Sequence, residues 1–101
     1  MPHHGPERRE HTCFVTENRE YHTRRGVCIA VRDRYTTAWM ARHRAVGLNL
    51  DDLPSGVEYV GSPLVFRSDS NQVQTSPVVD INRPGRTVVD AYDMVRGFLP
   101  L

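Results

Sequence analysis

The chain of 101 residues contains no lysine, so all thirteen of its basic residues are arginines. It has no apolar run near the roughly 20 residues that a membrane-spanning helix needs, which predicts no association with a membrane. Its two cysteines are too few for the disulfide framework of many small secreted domains. The first residues are polar and include prolines, unlike a signal peptide. We therefore expect a cytoplasmic protein.

The motifs of common enzyme classes are also missing from the sequence. It contains no glycine-rich phosphate loop, no HExxH pair and no glycine elbow around a serine. Cys28 with His22 or His43, together with Asp33, has the residue types of a nucleophile, a base and an orienting group. No supporting motif accompanies that set, so we predict that the protein is not an enzyme, has no catalytic residue and needs no cofactor.

A metal site can be drawn from His11, Cys13, His22 and Cys28, whose side chains are of the types that zinc accepts. Structural zinc sites usually take closely spaced pairs of ligands on turns, whereas both cysteines here lie in apolar, strand-like surroundings. The spacing therefore predicts buried, metal-free cysteines, and a small zinc-binding domain remains an alternative.

The arginines are unevenly distributed along the chain. Seven of them fall in residues 19–44 against two acids, a formal charge of +5, whereas residues 45–101 carry −3. Guanidinium groups bind carboxylates and phosphates and stack on aromatic rings, and Tyr21, Tyr35 and Trp39 lie among these arginines. The predicted residues for binding a partner or a nucleic acid are Arg24, Arg25, Arg32, Arg34, Trp39, Arg42 and Arg44.

Length and composition predict one folded unit. The chain is 39% apolar and 25% charged, as in soluble globular domains, and its length suits a single core. Residues 1–10 contain two prolines and a glycine without periodicity, so we expect a flexible N-terminal arm followed by one globular domain over residues 11–101.

Short runs with a period of two predict a sheet. Val27, Ile29 and Val31 alternate with Cys28, Ala30 and Arg32, as in a strand with one more buried face. The turn Asp69-Ser70-Asn71 separates two further runs. Pro77 interrupts the second of these runs and predicts an edge position or a bulge. The expected strands are Cys13 to Thr16, a strand around Tyr21, Val27 to Arg32, Val57 to Val60, Leu64 to Arg67 and Gln72 to Ile81.

The C-terminal segment has a helical pattern instead. Thr87 is a candidate cap, Val88, Tyr92 and Val95 recur at three-to-four spacing with Leu99, and Pro100 would end the helix.

Residues 33–47 fit two interpretations. As a helix they would be capped by Asp33 and end at Gly47; as a hairpin they would turn near Tyr35. The hairpin would allow Arg32 to share a sheet face with Arg42 and Arg44.

The sequence thus predicts an α+β, β-rich fold: a small antiparallel barrel or curled sheet of about five strands with one short C-terminal helix. In composition it resembles the accessory proteins that high-GC phages and their hosts encode. We expect a small non-catalytic binding module that docks its Arg-rich aromatic face on a protein partner or on another copy of itself. Single-stranded or duplex nucleic acid bound through residues 19–44 is the alternative.

Overall fold

The computed structural model describes residues 10–40, 42–50 and 60–96. These residues form one antiparallel sheet in the order β6-β5-β4-β3-β2-β1-β7, followed by a helix. In this part of the chain, no helix is long and apolar enough to cross a membrane. The elements are β1 His11–Val15, β2 Arg19–Arg24, β3 Val27–Asp33, β4 Asn49–Leu50, β5 Pro63–Arg67, β6 Gln72–Pro77, β7 Asp80–Asn82 and α1 Arg86–Arg96.

The predicted class, α+β and β-rich with a C-terminal helix, is confirmed, but two finer features are not. The described residues hold seven strands instead of about five, and the sheet does not close into a barrel. Strands β4 and β7 have two and three residues, too short to show a period of two. The predicted arm and the predicted strand at residues 57–60 lie outside the described residues, except for Glu10 and Val60.

Strands β6 and β7 are consecutive in the chain yet lie at opposite edges of the sheet. Only Val78 and Val79 connect them: the Val78 amide donates to the carbonyl of Ser62, and the Val79 amide donates to that of Val15. The sheet must therefore curl so that its two edges approach each other. The predicted edge position of Pro77 is confirmed, because Pro77 ends the edge strand β6.

A two-residue turn joins β2 to β3. Arg24 pairs with Val27, and between them Arg25 and Gly26 have φ angles of 50° and 84°. Two successive positive φ values are typical of the type I′ turn, whose twist matches that of the flanking strands. Glycine at the second position meets this requirement without steric cost.

A β-bulge interrupts the pairing of β2 with β3. His22 pairs with Ala30 while the next residue, Thr23, pairs with Cys28, so Ile29 is an extra residue. The predicted strand is confirmed, but its uninterrupted alternation is not. The bulge places Cys28 and Ala30 on opposite faces of the sheet, although they are two positions apart.

Each face of the sheet carries its own core. The first core lies on the face away from the helix, and the second lies between the sheet and α1, which packs against β3. The buried residues of the first core are Phe14, Tyr21, Cys28, Val31, Ala45, Leu48, Leu50, Leu64, Phe66 and Val78. Those of the second core are Ala30, Val89, Tyr92 and Val95.

The predicted C-terminal helix is confirmed, although it begins at Arg86, one residue before Thr87. Its first described hydrogen bond runs from the Val89 amide to the carbonyl of Gly85. The helix buries Tyr92 and Val95 from the predicted stripe and adds Val89 to them. Residues 97–101, which include Leu99 and Pro100, lie outside the described ranges.

The segment after β3 forms no helix in its described residues, and of the predicted hairpin it forms only the turn near Tyr35 and a short antiparallel return along β3. The Asp33 carboxylate accepts hydrogen bonds from the amides of Tyr35 and Thr36, at 2.9 and 2.8 Å, and so fixes a turn. The chain then reverses, and Trp39 makes an isolated antiparallel bridge with Arg32. From residue 42 to β4 the described chain continues mainly in turns, so the predicted second strand does not extend to His43 and Ala45.

Candidate functional site

The second face of the sheet brings three polar side chains together beneath α1. Cys13 of β1 and His22 of β2 are cross-strand partners, so their side chains point to the same face. Glu20 lies two residues before His22 on the same strand and therefore shares that face. The hairpin register alone thus builds a cluster of Cys13, Glu20 and His22.

The potential ligand atoms of this cluster lie close together. His22 Nε2 is 2.9 Å from Glu20 Oε1 and 3.7 Å from Cys13 Sγ, and the sulfur is 3.9 Å from the same carboxylate oxygen. Cys13 and His22 are buried, and the Glu20 side chain is only 14% exposed. Within the described ranges, this is the single group of three side chains spaced to hold a metal ion.

Residues from β3, the following loop and α1 hold the cluster in place. The Tyr92 hydroxyl lies 2.5 Å from His22 Nδ1, and Arg32 donates from Nε and Nη2 to Glu20 Oε1 at 3.0 and 2.9 Å. The Arg32 guanidinium carbon lies 4.9 Å from the centre of the Trp39 ring. Trp39 in turn contacts the rings of His22 and Tyr92 edge-on. The buried polar groups of the cluster therefore all have partners.

Burial sets the protonation of these groups. It lowers the pKa of His22 from 6.5 to about 4, so the imidazole is neutral near pH 7. Burial, reinforced by the Glu20 carboxylate, raises the pKa of the Cys13 thiol to about 12, and burial also raises that of the Tyr92 hydroxyl. Near neutral pH the cluster thus consists of a thiol, a neutral imidazole and a carboxylate that is paired with Arg32.

A cavity of about 160 Å³ opens beside the cluster. Cys13, Glu20 and His22 form one part of its wall, and the segment 82–85 before α1 forms another. The cavity is therefore large enough to hold a water molecule or a small ion beside the cluster.

Three of the arginines predicted to bind a partner are ion-paired within the chain. Arg24 Nε donates to Glu10 Oε2 at 2.9 Å, and Arg25 also donates to the Glu10 carboxylate. Arg32 is paired with Glu20 and is only 19% exposed. Three of the seven arginines in residues 19–44 are therefore engaged in ion pairs within the described part of the chain.

Two other predicted arginines lie elsewhere. Arg42 and Arg44 are exposed in the turns before β4, and Arg44 lines a groove with Asn71 and Val73. Val73 packs against the first core, whereas Trp39, which stacks on Arg32, packs against the second. The structure does not bring Arg32 and Arg44 onto one face.

Arg34 and the neighbouring Tyr35 form an exposed pair. Both side chains donate hydrogen bonds to the carbonyl of Glu17, at 3.2 Å from Arg34 Nη1 and at 2.9 Å from the Tyr35 hydroxyl. The Arg34 guanidinium carbon lies 5.5 Å from the centre of the Tyr35 ring. Trp39, by contrast, is half-buried against the second core.

Sequence reasoning identified only part of the cluster. Of the four residues considered for a metal site, Cys13 and His22 meet, whereas Cys28 lies in the first core on the opposite face. Glu20 and Tyr92 were missed. Glu20 could have been found from the turn at Glu17-Asn18. A hairpin that turns there pairs Cys13 with His22, and Glu20, two residues before His22, then lies on the same face as both.

Fold and site together define a small β-rich α+β protein: a curled, open antiparallel sheet with one helix covering a polar cluster. No protein-family model matches the chain, and neither a curated protein nor a solved structure matches it. The functional argument therefore depends on this chain's own residues.

Proposed function

We propose that the protein is a small non-catalytic binding module that docks on an acidic surface of a protein partner through the Arg34–Tyr35 pair. One observation carries this proposal: Tyr35 is 68% exposed, yet its hydroxyl is fixed by a hydrogen bond to the Glu17 carbonyl. A large aromatic ring held in solvent beside a guanidinium is typical of interface hot spots.

The surroundings of the pair support a docking role because they limit its motion before binding. The Asp33 carboxylate fixes the backbone of the turn through two amide hydrogen bonds. The β1–β2 turn supplies the Glu17 carbonyl that holds both side chains. Binding then orders few further groups, which reduces the entropic cost of association.

Nucleic acid is the less favoured ligand. Arg24, Arg25 and Arg32 each pair with a glutamate, and the whole chain has a formal charge of only +1. Binding to nucleic acid depends on the neutralisation of several phosphates by unpaired basic side chains. An acidic protein surface needs fewer such contacts, because Arg34 supplies the charge and Tyr35 the apolar area.

The test compares two matched double variants. Arg34→Ala with Tyr35→Ala removes the pair, and Arg86→Ala with Met94→Ala removes an exposed arginine and an exposed apolar side chain on α1. Each protein is immobilised and exposed to nuclease-treated lysate of the native cell, and captured proteins are quantified. We expect a partner that wild type and the α1 variant retain, and whose affinity falls at least about tenfold in the Arg34/Tyr35 variant.

The proposal fails if the Arg34/Tyr35 variant captures the same proteins as wild type to the same extent. It also fails if binding disappears on nuclease treatment and falls steeply with salt, because nucleic acid is then the ligand. Sedimentation separates a second copy from a different partner. A mass above the 11.5 kDa monomer that is lost in the Arg34/Tyr35 variant identifies self-association through the same pair.

A further inference from the structure

We propose that Cys13, Glu20 and His22 form a zinc-binding site on the sheet face that α1 covers. The inference is independent of the Arg34–Tyr35 pair, which lies in an exposed turn after β3. The spacing of the cysteines in the sequence predicts that Cys13 binds no metal. The structure instead places Cys13 beside two further potential zinc ligands on a paired strand.

The donor set fits zinc better than other common ions. A thiolate, an imidazole nitrogen and a carboxylate oxygen are all ordinary zinc ligands. Magnesium and calcium take oxygen ligands almost exclusively, so a sulfur and a nitrogen at the centre of the cluster disfavour both.

The separations of the ligand atoms also fit. Four-coordinate zinc, with bonds of about 2.0 Å to nitrogen or oxygen and about 2.3 Å to sulfur, requires ligand atoms roughly 3.3 to 3.6 Å apart. The three separations in the cluster are 2.9, 3.7 and 3.9 Å. Shifts of a few tenths of an ångström would therefore complete the coordination without rebuilding the sheet.

The groups around the cluster act as outer partners of the ligands. His22 Nε2 faces a carboxylate that only accepts hydrogen bonds, so Nε2 carries the proton in the metal-free protein and Nδ1 accepts from the Tyr92 hydroxyl. When zinc binds Nε2, the proton moves to Nδ1, and the Tyr92 oxygen becomes its acceptor. A hydrogen-bond partner on the second imidazole nitrogen is a regular feature of zinc-bound histidines.

The charge and proton balance of binding are simple. The Cys13 thiol loses its proton to solvent as the sulfur–zinc bond forms, and no oxidation or reduction takes place. Thiolate and carboxylate then offset the two charges of the ion, while Arg32 keeps its hydrogen bonds to the Glu20 carboxylate. The adjoining cavity gives the ion an entry path and space for a water molecule as fourth ligand.

The experiment titrates the full-length protein with cobalt(II) and then with zinc, in a phosphine reductant that keeps the thiols free. We expect one cobalt per chain with a thiolate-to-cobalt charge-transfer absorption, release of about one proton per ion, and displacement of cobalt by zinc. Cys13→Ala should abolish the charge-transfer absorption and weaken zinc binding more than about 100-fold. Tyr92→Phe should weaken it by about 10-fold, as expected for an outer partner.

Cys28→Ala is the matched control, because it removes the other buried cysteine from the opposite face and should leave cobalt binding unchanged. The proposal is overturned if the wild-type protein gives no charge-transfer absorption, or if Cys13→Ala retains it. It is also overturned if zinc binding is lost in a His3→Gln/His4→Gln variant, since the N-terminal histidines are then the ligands. The wild-type spectrum decides the question even if a variant fails to fold.

Discussion

The Nδ1 atom of His22 lies 2.5 Å from the hydroxyl oxygen of Tyr92, a residue seventy positions further along the chain. Both residues are buried, and their rings also meet edge-on with centroids 5.4 Å apart. This contact links strand β2 to the helix α1 through a buried hydrogen bond. The packing of the helix on the sheet and the orientation of the His22 imidazole therefore depend on each other.

We expect Tyr92→Phe to lower the free energy of unfolding by about 1 to 3 kcal/mol. The substitution keeps the ring that fills the second core but leaves His22 Nδ1 without its partner in a buried position. Urea denaturation in the presence of a chelator measures the change without any metal contribution.

Tyr35→Phe is the control for the loss of a tyrosine hydroxyl. Tyr35 is exposed, and water can replace its hydrogen bond to Glu17. Tyr35→Phe should therefore change the free energy of unfolding by no more than about 0.5 kcal/mol. Equal destabilisation by the two variants would show that the Tyr92 hydroxyl has no special role in joining helix and sheet.

Stability should fall with acidification between pH 6.5 and pH 4. Burial lowers the pKa of His22 from 6.5 to about 4, so in this range the unfolded chain binds a proton that the folded protein does not. The contribution of neutral His22 to the free energy of unfolding is therefore fully present above pH 6.5 and is lost as the pH falls toward 4. It corresponds to roughly 3 kcal/mol, measured by urea denaturation at a series of pH values with chelator present.

His22→Gln should flatten this part of the pH profile. Burial also lowers the pKa of His43, which lies near Arg19 and Arg44, so His43 contributes with the same sign. His43→Gln should therefore remove only a smaller part of the dependence, because His43 is less buried than His22. An unchanged slope in His22→Gln would contradict the assignment.

Local sequence patterns predicted most of the regular structure because its signals are local. The strand from Val27 and the apolar stripe through Tyr92 and Val95 were visible as periods of two and of three to four. The bulge at Ile29 was not visible, since it depends on how β3 pairs with β2. For the same reason the predicted alternation placed Cys28 and Ala30 on one face, whereas the structure separates them.

The candidate site was harder to predict because long-range pairing assembles it. Cys13, Glu20 and His22 meet only once the β1–β2 register is known, and Tyr92 reaches them through helix packing. For the arginines of residues 19–44 the error is the opposite one, since the sequence pattern suggested a binding surface more strongly than the structure does. This group of arginines is prominent in the sequence, yet Glu10 and Glu20 pair with several of its members, and a linear reading cannot show such ion pairs.

Glu20→Ala should lower the free energy of unfolding by about 1 to 3 kcal/mol, because it leaves partly buried Arg32 and buried His22 without their acceptor. Glu10→Ala removes the partner of two arginines as well, but Arg24 and Arg25 are 47% and 73% exposed and can be solvated. Glu10→Ala should therefore lower the free energy of unfolding by less than Glu20→Ala does. Thermal or urea unfolding of the two variants side by side makes the comparison, and a larger effect at Glu10 would contradict it.

Both cysteines should resist thiol reagents while the protein is folded. Burial raises the pKa of Cys13 and of Cys28 to about 12, and the Glu20 carboxylate adds to the effect at Cys13. The reactive thiolate is therefore scarce near pH 8, and both cysteines are buried, which hinders the approach of a reagent larger than water. In chelator, we expect reaction with a disulfide reagent to be more than about 100-fold slower than in denaturant.

The single variants Cys13→Ala and Cys28→Ala assign the rates to individual thiols. Cys13 borders the cavity beside α1, whereas Cys28 is fully enclosed in the first core. Of the two, Cys13 should therefore react faster, and added zinc should slow Cys13 but not Cys28, because only Cys13 belongs to the proposed site. A zinc effect on the reaction rate of Cys28 would contradict the placement of the two cysteines on opposite faces of the sheet. A rate in the folded protein equal to that in denaturant would contradict the burial of that thiol.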